Sequence, residues 1–129
     1  MKLDGMGIFV DDMKIMVDFY KNVLGFEIEW DGTDPSVMLK KDGVLFMLYG
    51  RNDFEEMTKR KYSYAQGANG HYEIALSVPT YDDVDSAFAD VISKGAHFIM
   101  APTTEPWGQR TSYVSDPEGN IIEIGSFNK

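Results

Sequence analysis

The sequence of 129 residues contains no cysteine and only two histidines. The absence of cysteine excludes disulfide bonds, thiolate zinc sites, iron–sulfur clusters and a thiol nucleophile. Basic residues are also few, because 12 lysines and arginines stand against 21 aspartates and glutamates and leave a net charge of −9. Such an acidic surface repels phosphate groups, so nucleic acids and anionic membrane surfaces are poor candidates for partners.

Long apolar runs are absent as well. No stretch approaches the roughly 20 apolar residues that span a bilayer, and the first residues carry no apolar run or small-residue cleavage site typical of a secretion signal. We therefore expect a soluble, cytoplasmic protein with no membrane partner. Apolar residues still make up 43% of the chain, which is enough to fill the core of one domain over residues 1–129.

The apolar pattern of residues 1–50 predicts a strand, a helix and three further strands. A short apolar run over 6–10 is followed by Asp11 and Asp12, which suit the start of a helix. Helical spacing then continues to Leu24. Strands are predicted over 26–30, 36–39 and 44–49, and the hairpin signal Asp42-Gly43 joins the last two.

The same order of elements recurs after residue 70. It comprises a strand over 71–78, a helix that Thr80 and Asp83 can cap, and strands over 98–100, 110–114 and 120–124. Residues 51–70 connect the halves and contain a short helix for which Asn52 is the predicted cap. The fold class is therefore predicted as α+β, with two βαβββ modules over residues 1–50 and 71–129. Two modules side by side give a larger sheet with a concave face.

Three motifs in this order resemble the vicinal oxygen chelate superfamily, which includes glyoxalase I, bleomycin resistance proteins and extradiol dioxygenases. The motifs are Val10-Asp11-Asp12 leading into Asp18-Phe19-Tyr20-Lys21-Asn22-Val23-Leu24-Gly25-Phe26, then Pro106-Trp107-Gly108-Gln109-Arg110, then Asp116-Pro117-Glu118-Gly119-Asn120-Ile121-Ile122-Glu123-Ile124. The resemblance implies paired modules that form an incomplete barrel with a concave cleft. It also implies a homodimer.

The resemblance further implies where a metal would bind. Members of the family commonly hold a divalent metal with four His or Glu side chains, one on the first and one on the last strand of each module. The corresponding positions here are Gly5, Met47, Glu73 and Glu123. Glycine offers no side chain and a thioether is a poor ligand for a hard divalent ion. No cofactor is therefore predicted, and no residue is assigned as a metal ligand.

Glu73 and Glu123 are the predicted catalytic residues, if the protein is an enzyme. Glu123 lies in an apolar strand, where a carboxylate needs either a ligand or a salt bridge or water to stabilise it. Two neighbouring carboxylates raise the pKa of one of them, which suits a general base. His71 shares a strand face with Glu73 by period-two spacing, so His71, Glu73 and Glu123 form an alternative three-ligand site for iron or zinc.

Several other side chains are predicted to contact a ligand. Met47 and Tyr49 share one face of a strand, where Met47 is either an apolar wall of the cleft or part of the core. Trp107 lies in a loop and either stacks on a planar ligand or covers a dimer interface. Thr111 and Tyr113 alternate on one strand face, and the resemblance implies that they point inward. The predicted ligand-binding residues are Met47, Tyr49, Trp107, Thr111, Tyr113 and His71.

Two main functions remain open from the sequence, beside a third possibility, a housekeeping or stress protein whose ligand is an ordinary metabolite. The first is a metal-independent protein that binds a small, partly aromatic organic molecule in the concave face and sequesters a drug or metabolite. The net negative charge favours cationic drugs in that case. The alternative is a lyase, isomerase or dioxygenase that uses a divalent metal at Glu73 and Glu123, with or without His71. Fold alone does not decide between a binding protein and an enzyme.

Overall fold

The computed structural model describes all residues from Met1 to Lys129 and has the α+β class predicted from the sequence. The chain divides into two compact units, Met1–Tyr64 and Ala65–Lys129. Each unit contains one sheet, and neither sheet closes into a barrel. None of the helices has the length and hydropathy required of a transmembrane span.

The first unit contains a three-stranded sheet in the order β1-β3-β2, built from β1 (Gly5–Val10), β2 (Ser36–Lys41) and β3 (Val44–Gly50). Helix α1 (Met13–Asp18) begins at Asp12, whose carboxylate accepts the Ile15 N–H, and it continues as a π-helical turn over Phe19–Val23. The β2–β3 hairpin turns at Asp42 and Gly43, as predicted.

The two faces of the first sheet differ in what covers them. Tyr20 of the π-helical turn is fully buried, and its ring lies 5.5 Å from Phe26 and 5.2 Å from Phe46. Met47 and Tyr49 point to the opposite face, because alternate residues of a strand face opposite sides. The core of this unit therefore lies on the Phe46 side.

Residues 26–30 form no strand, so this prediction is wrong. Their burial does alternate, with Phe26 and Ile28 buried and Glu27 and Glu29 exposed. The segment joins no sheet ladder, and the first module has three strands where four were predicted. Alternation reports which side chains are buried, whereas a strand also needs a neighbour that pairs with its backbone groups.

Helix α2 (Arg51–Thr58) follows β3 directly and belongs to the first unit. It begins at Gly50 with no side-chain cap, so the predicted capping by Asn52 is wrong. The ring of Phe54 lies 4.2 Å from Phe9 and 6.1 Å from Tyr49, on the side of the sheet opposite Phe46. These aromatic contacts hold α2 against the first sheet.

The second unit contains a four-stranded sheet in the order β4-β7-β6-β5 and one helix. The elements are β4 (Asn69–Ser77), α3 (Tyr81–Ser93), β5 (His97–Thr104), β6 (Arg110–Ser115) and β7 (Asn120–Ser126). The predicted capping box is present, since Thr80 accepts the Asp83 N–H and the Asp83 carboxylate accepts the Thr80 N–H. Helix α3 covers one face of the sheet, where Phe88 contacts Phe98.

Candidate functional site

The face of the second sheet opposite α3 carries most of the predicted site residues. Phe98, which contacts the helix, pairs with Val114, so the neighbouring residue Tyr113 points away from α3. In the ladder, Tyr113 pairs with Glu123 and Thr111 pairs with Gly125. Glu73 pairs with Ile121 and therefore shares this face. The sheet thus brings Glu73, Glu123, Tyr113 and Thr111 to one side.

The register of the two sheets shows that the four positions implied by the family resemblance correspond in two pairs, with one member of each pair in each unit. Gly5 lies two residues before Gly7, the ladder partner of Met47. Glu73 lies two residues before Ala75, the ladder partner of Glu123. Gly5 in the first unit therefore corresponds to Glu73 in the second, and Met47 corresponds to Glu123.

Glu123 lies at the centre of a chain of side-chain hydrogen bonds. Tyr113 Oη donates to Glu123 Oε2 at 2.7 Å, and Gln109 Nε2 donates to Glu123 Oε1 at 3.4 Å. Trp107 Nε1 in turn donates to Gln109 Oε1 at 3.0 Å. A tyrosine and a glutamine therefore satisfy the carboxylate that the sequence places in an apolar strand.

The hydroxyl of Tyr113 is fixed as a hydrogen-bond donor. Burial, the hydrogen bond to Glu123 and the negative charges of Glu123 and Glu73 raise the pKa of Tyr113 to about 12. The phenol therefore keeps its proton near neutral pH. In this state it orients the Glu123 carboxylate.

The hydroxyl of Thr111 is buried without a hydrogen-bond partner. The residue is 2% exposed, and no hydrogen bond of ordinary geometry reaches its Oγ1 atom. The Thr111 side chain lowers the pKa of Tyr113, and this is the weakest of the five influences on that pKa. A buried hydroxyl without a hydrogen bond of good geometry costs about 1–3 kcal/mol.

A pocket of about 630 Å³ opens beside these residues. Gln109, Glu123 and Gly125 line it, together with Ser77 and Phe127. The volume is within the range of about 300–1,000 Å³ that is usual for small-molecule sites. The pocket therefore has room for an organic molecule and has both apolar and polar side chains in its lining.

Trp107 is exposed but held in position by its loop. Within the β5–β6 connection, the Glu105 N–H donates to the Gln109 carbonyl at 2.8 Å, and the Gly108 N–H donates to the Glu105 carbonyl at 3.0 Å. Tyr81 Oη also donates to the Gly108 carbonyl at 2.6 Å. Trp107 is 64% exposed and does not line the pocket itself, but its indole donates to Gln109, which does. A rigid, exposed aromatic ring is a ready stacking surface.

The remaining predicted residues lie elsewhere. His71 is exposed and lies where the β4–β7 register shifts between Asn69 and Glu73, so its shared face with Glu73 stays a prediction. No group of three His, Asp or Glu side chains that could hold a metal is present, so the alternative site of His71, Glu73 and Glu123 is not formed. Met47 and Tyr49 lie in the first unit, and their part in a ligand site stays a prediction.

The four family positions do not fit a divalent metal. A Cβ atom at Gly5 would overlap the carbonyl of Leu45 across the ladder, so a side chain there requires a shift of the backbone. Met47 offers only a thioether, and both oxygens of Glu123 already accept hydrogen bonds. This donor set suits a hydrogen-bonding site better than a metal centre.

Two residues of the site, Gln109 and Gly125, were not assigned a role from the sequence. Gln109 does belong to one of the three family motifs, but its link between Trp107 and Glu123 depends on the loop geometry. Gly125 lies inside β7, between Ile124 and Ser126. Glycine inside a strand often marks a close approach by another group, and this signal could have identified it.

Comparison with known proteins defines the family. The sequence model of the Glyoxalase/Bleomycin resistance protein/Dioxygenase superfamily matches residues 2–124. The chain belongs to this superfamily, which confirms the membership implied by the three sequence motifs.

Three relatives illustrate the range of similarity. The YraH protein of Bacillus subtilis (strain 168) is 29% identical over 127 residues, which are 96% of this chain and 97% of that protein. The phenazine antibiotic resistance protein EhpR of Enterobacter agglomerans is 38% identical over 55 residues, which are 40% of this chain and 42% of that protein. A glyoxalase/bleomycin resistance protein/dioxygenase family enzyme from Burkholderia phytofirmans PsJN has a TM-score of 0.81 at 25% identity, over 97% of this chain and 98% of that structure.

Proposed function

We propose that this protein binds a small planar aromatic molecule without a metal ion and thereby sequesters a drug or metabolite. The observation that carries the proposal is the hydrogen-bonded chain from Trp107 through Gln109 and Glu123 to Tyr113, beside a pocket of about 630 Å³. Trp107 supplies the stacking surface, and the other three side chains supply polar contacts. Small-molecule sites usually combine an apolar surface with a few fixed polar groups.

Two further facts support this proposal. The donor set at the four family positions is poor for a metal, because Gly5 has no room for a side chain and Met47 carries a thioether. EhpR, which is similar to 40% of this chain, is named for resistance to phenazine antibiotics. Phenazines are flat, fused aromatic molecules of the shape that an indole ring can stack on.

The alternative function, a metal-dependent lyase, isomerase or dioxygenase, has less support in the site. It needs a third ligand beside Glu73 and Glu123, and His71 lies in the irregular part of β4. Homodimer formation and a cytoplasmic location stay predictions from the sequence.

Exchanging Trp107 for phenylalanine tests the proposal. We expect phenazine to bind the unmodified protein and Trp107→Phe to weaken binding about tenfold, because the ring becomes smaller and loses its anchoring N–H. Trp30→Phe is the matched control, since Trp30 lies in the first unit and donates to the Asp34 carbonyl at 2.8 Å. Calorimetric titration gives the three dissociation constants. Failure of the unmodified protein to bind planar aromatic compounds, or an equal loss in both variants, would contradict the proposal.

A further inference from the structure

We infer that Phe127 is an aromatic contact for the ligand inside the pocket, in addition to Trp107. This inference rests on the proposed function and adds a binding residue to it. Phe127 is the one aromatic residue in the lining of the pocket, and all lining residues belong to the second unit. Trp107 is joined to that lining through its hydrogen bond to Gln109.

Phe127 combines an exposed side chain with a fixed backbone. A single exposed aromatic residue is common on protein surfaces, so its exposure of 66% does not by itself assign it a role. The residues on both sides of it, however, are tied to the segment that joins β4 to α3. Ser126 Oγ and Asn128 Nδ2 both donate to the Pro79 carbonyl, at 3.2 Å and 3.1 Å. The Tyr81 N–H donates to the Asn128 carbonyl at 2.8 Å.

Tyr81 links the two segments that carry the aromatic side chains. Its N–H holds Asn128, the residue after Phe127, and its Oη donates to the carbonyl of Gly108, the residue after Trp107. Both chain segments are therefore attached to the first turn of α3. A contact surface that is held in place before binding loses little conformational freedom when the ligand arrives, and this raises affinity.

The other apolar residues of the lining are aliphatic. They are Ala75, Leu76, Val78 and Pro79. Such side chains accept aliphatic and aromatic molecules alike, because hydrophobic burial has no directional preference. Stacking between two rings adds about fivefold in affinity beyond this burial. Within the pocket, Phe127 supplies that contribution.

Two substitutions of Phe127 test the inference by calorimetric titration of the full chain with phenazine. We expect Phe127→Leu to weaken binding about fivefold, because it keeps an apolar side chain but removes the ring. Phe127→Tyr keeps the ring and should bind as the unmodified protein does. Phe98→Leu is the matched control and should also leave binding unchanged. Phe98 is 63% exposed and lies in the same unit, but it contacts Phe88 on the face of the sheet that α3 covers.

A measurement on the unmodified protein does not depend on the folding of any variant. In the phenazine complex, nuclear Overhauser effects should connect the protons of phenazine with the ring of Phe127 and not with that of Phe98. Absence of this contact to Phe127, or equal affinity of Phe127→Leu and the unmodified protein, would overturn the inference and leave the proposed function standing. An equal loss in Phe127→Leu and Phe98→Leu would also overturn it. If the unmodified protein binds no phenazine, both the inference and the proposed function fail.

Discussion

Replacement of Gly119 by alanine is expected to lower the free energy of unfolding by about 3 kcal/mol, with a fall of about 10 °C in the melting temperature. Gly119 ends the turn between β6 and β7 with a φ of +88° and is buried. A Cβ atom here would run into the carbonyl group of Gly67, which belongs to the backbone and cannot move by a simple side-chain rotation. The left-handed backbone and the steric overlap both oppose alanine.

Gly43→Ala is the matched control for this prediction. Gly43 has a similar φ of +81°, but nothing lies within 4 Å of the position that its Cβ atom would take. Alanine there should therefore cost only about 1 kcal/mol, the price of the left-handed backbone. Urea denaturation of both variants gives the difference, which measures the steric part. Equal loss of unfolding free energy in Gly119→Ala and Gly43→Ala would show that the Gly67 carbonyl leaves room for a side chain at position 119.

Replacement of Gly5 by alanine is expected to cost about 2–3 kcal/mol. Its Cβ atom would overlap the carbonyl and the Cβ of Leu45, the ladder partner of Gly5 in β3. The first residues of β1 would have to move away from β3 and lose pairing there. The result tests whether position 5 could carry a metal-binding side chain, because Gly5 corresponds to Glu73 and is one of the four family ligand positions.

Gly7→Ala provides the comparison on the same strand and the same face. A Cβ atom at Gly7 would lie 3.4 Å from Met47 Cε and 3.5 Å from Met47 Cβ, which are ordinary contacts. We expect a change of less than about 1 kcal/mol, since alanine also restricts the unfolded chain. If Gly5→Ala proved as stable as Gly7→Ala, position 5 would have room for a side chain, and the steric case against a metal ligand there would fail.

Local sequence rules predicted those structural features that depend on residues close together in the chain. Thr80 and Asp83 form the predicted capping box, and Asp42-Gly43 forms the predicted hairpin turn. Thr111 and Tyr113 share one face of β6, as the period-two spacing predicts. These features depend on neighbours along the chain or on a regular ladder, so residue order alone determines them.

The failed predictions depend on partners that residue order does not specify. Residues 26–30 have the burial pattern of a strand without a strand beside them. His71, Glu73 and Glu123 form no group that could hold a metal, and His71 lies in a part of β4 where the register shifts. Gln109 joins the site because the β5–β6 loop directs its amide toward Glu123, and Gly125 leaves room for that amide, since a Cβ atom there would lie only 2.9 Å from Gln109 Nε2. Loop geometry and ladder irregularities arise from tertiary packing and are therefore difficult to infer from one sequence.

Metal dependence of ligand binding tests the central claim most directly. The protein would be treated with a chelator, dialysed and titrated calorimetrically with phenazine, first without metal and then with added zinc, nickel, iron or manganese. We predict the same dissociation constant in every titration, because the proposed site of Trp107, Gln109 and Glu123 would bind the ligand without a metal ion. Binding that appears only with a stoichiometric divalent metal, and that Glu123→Gln abolishes together with the bound metal, would contradict the claim.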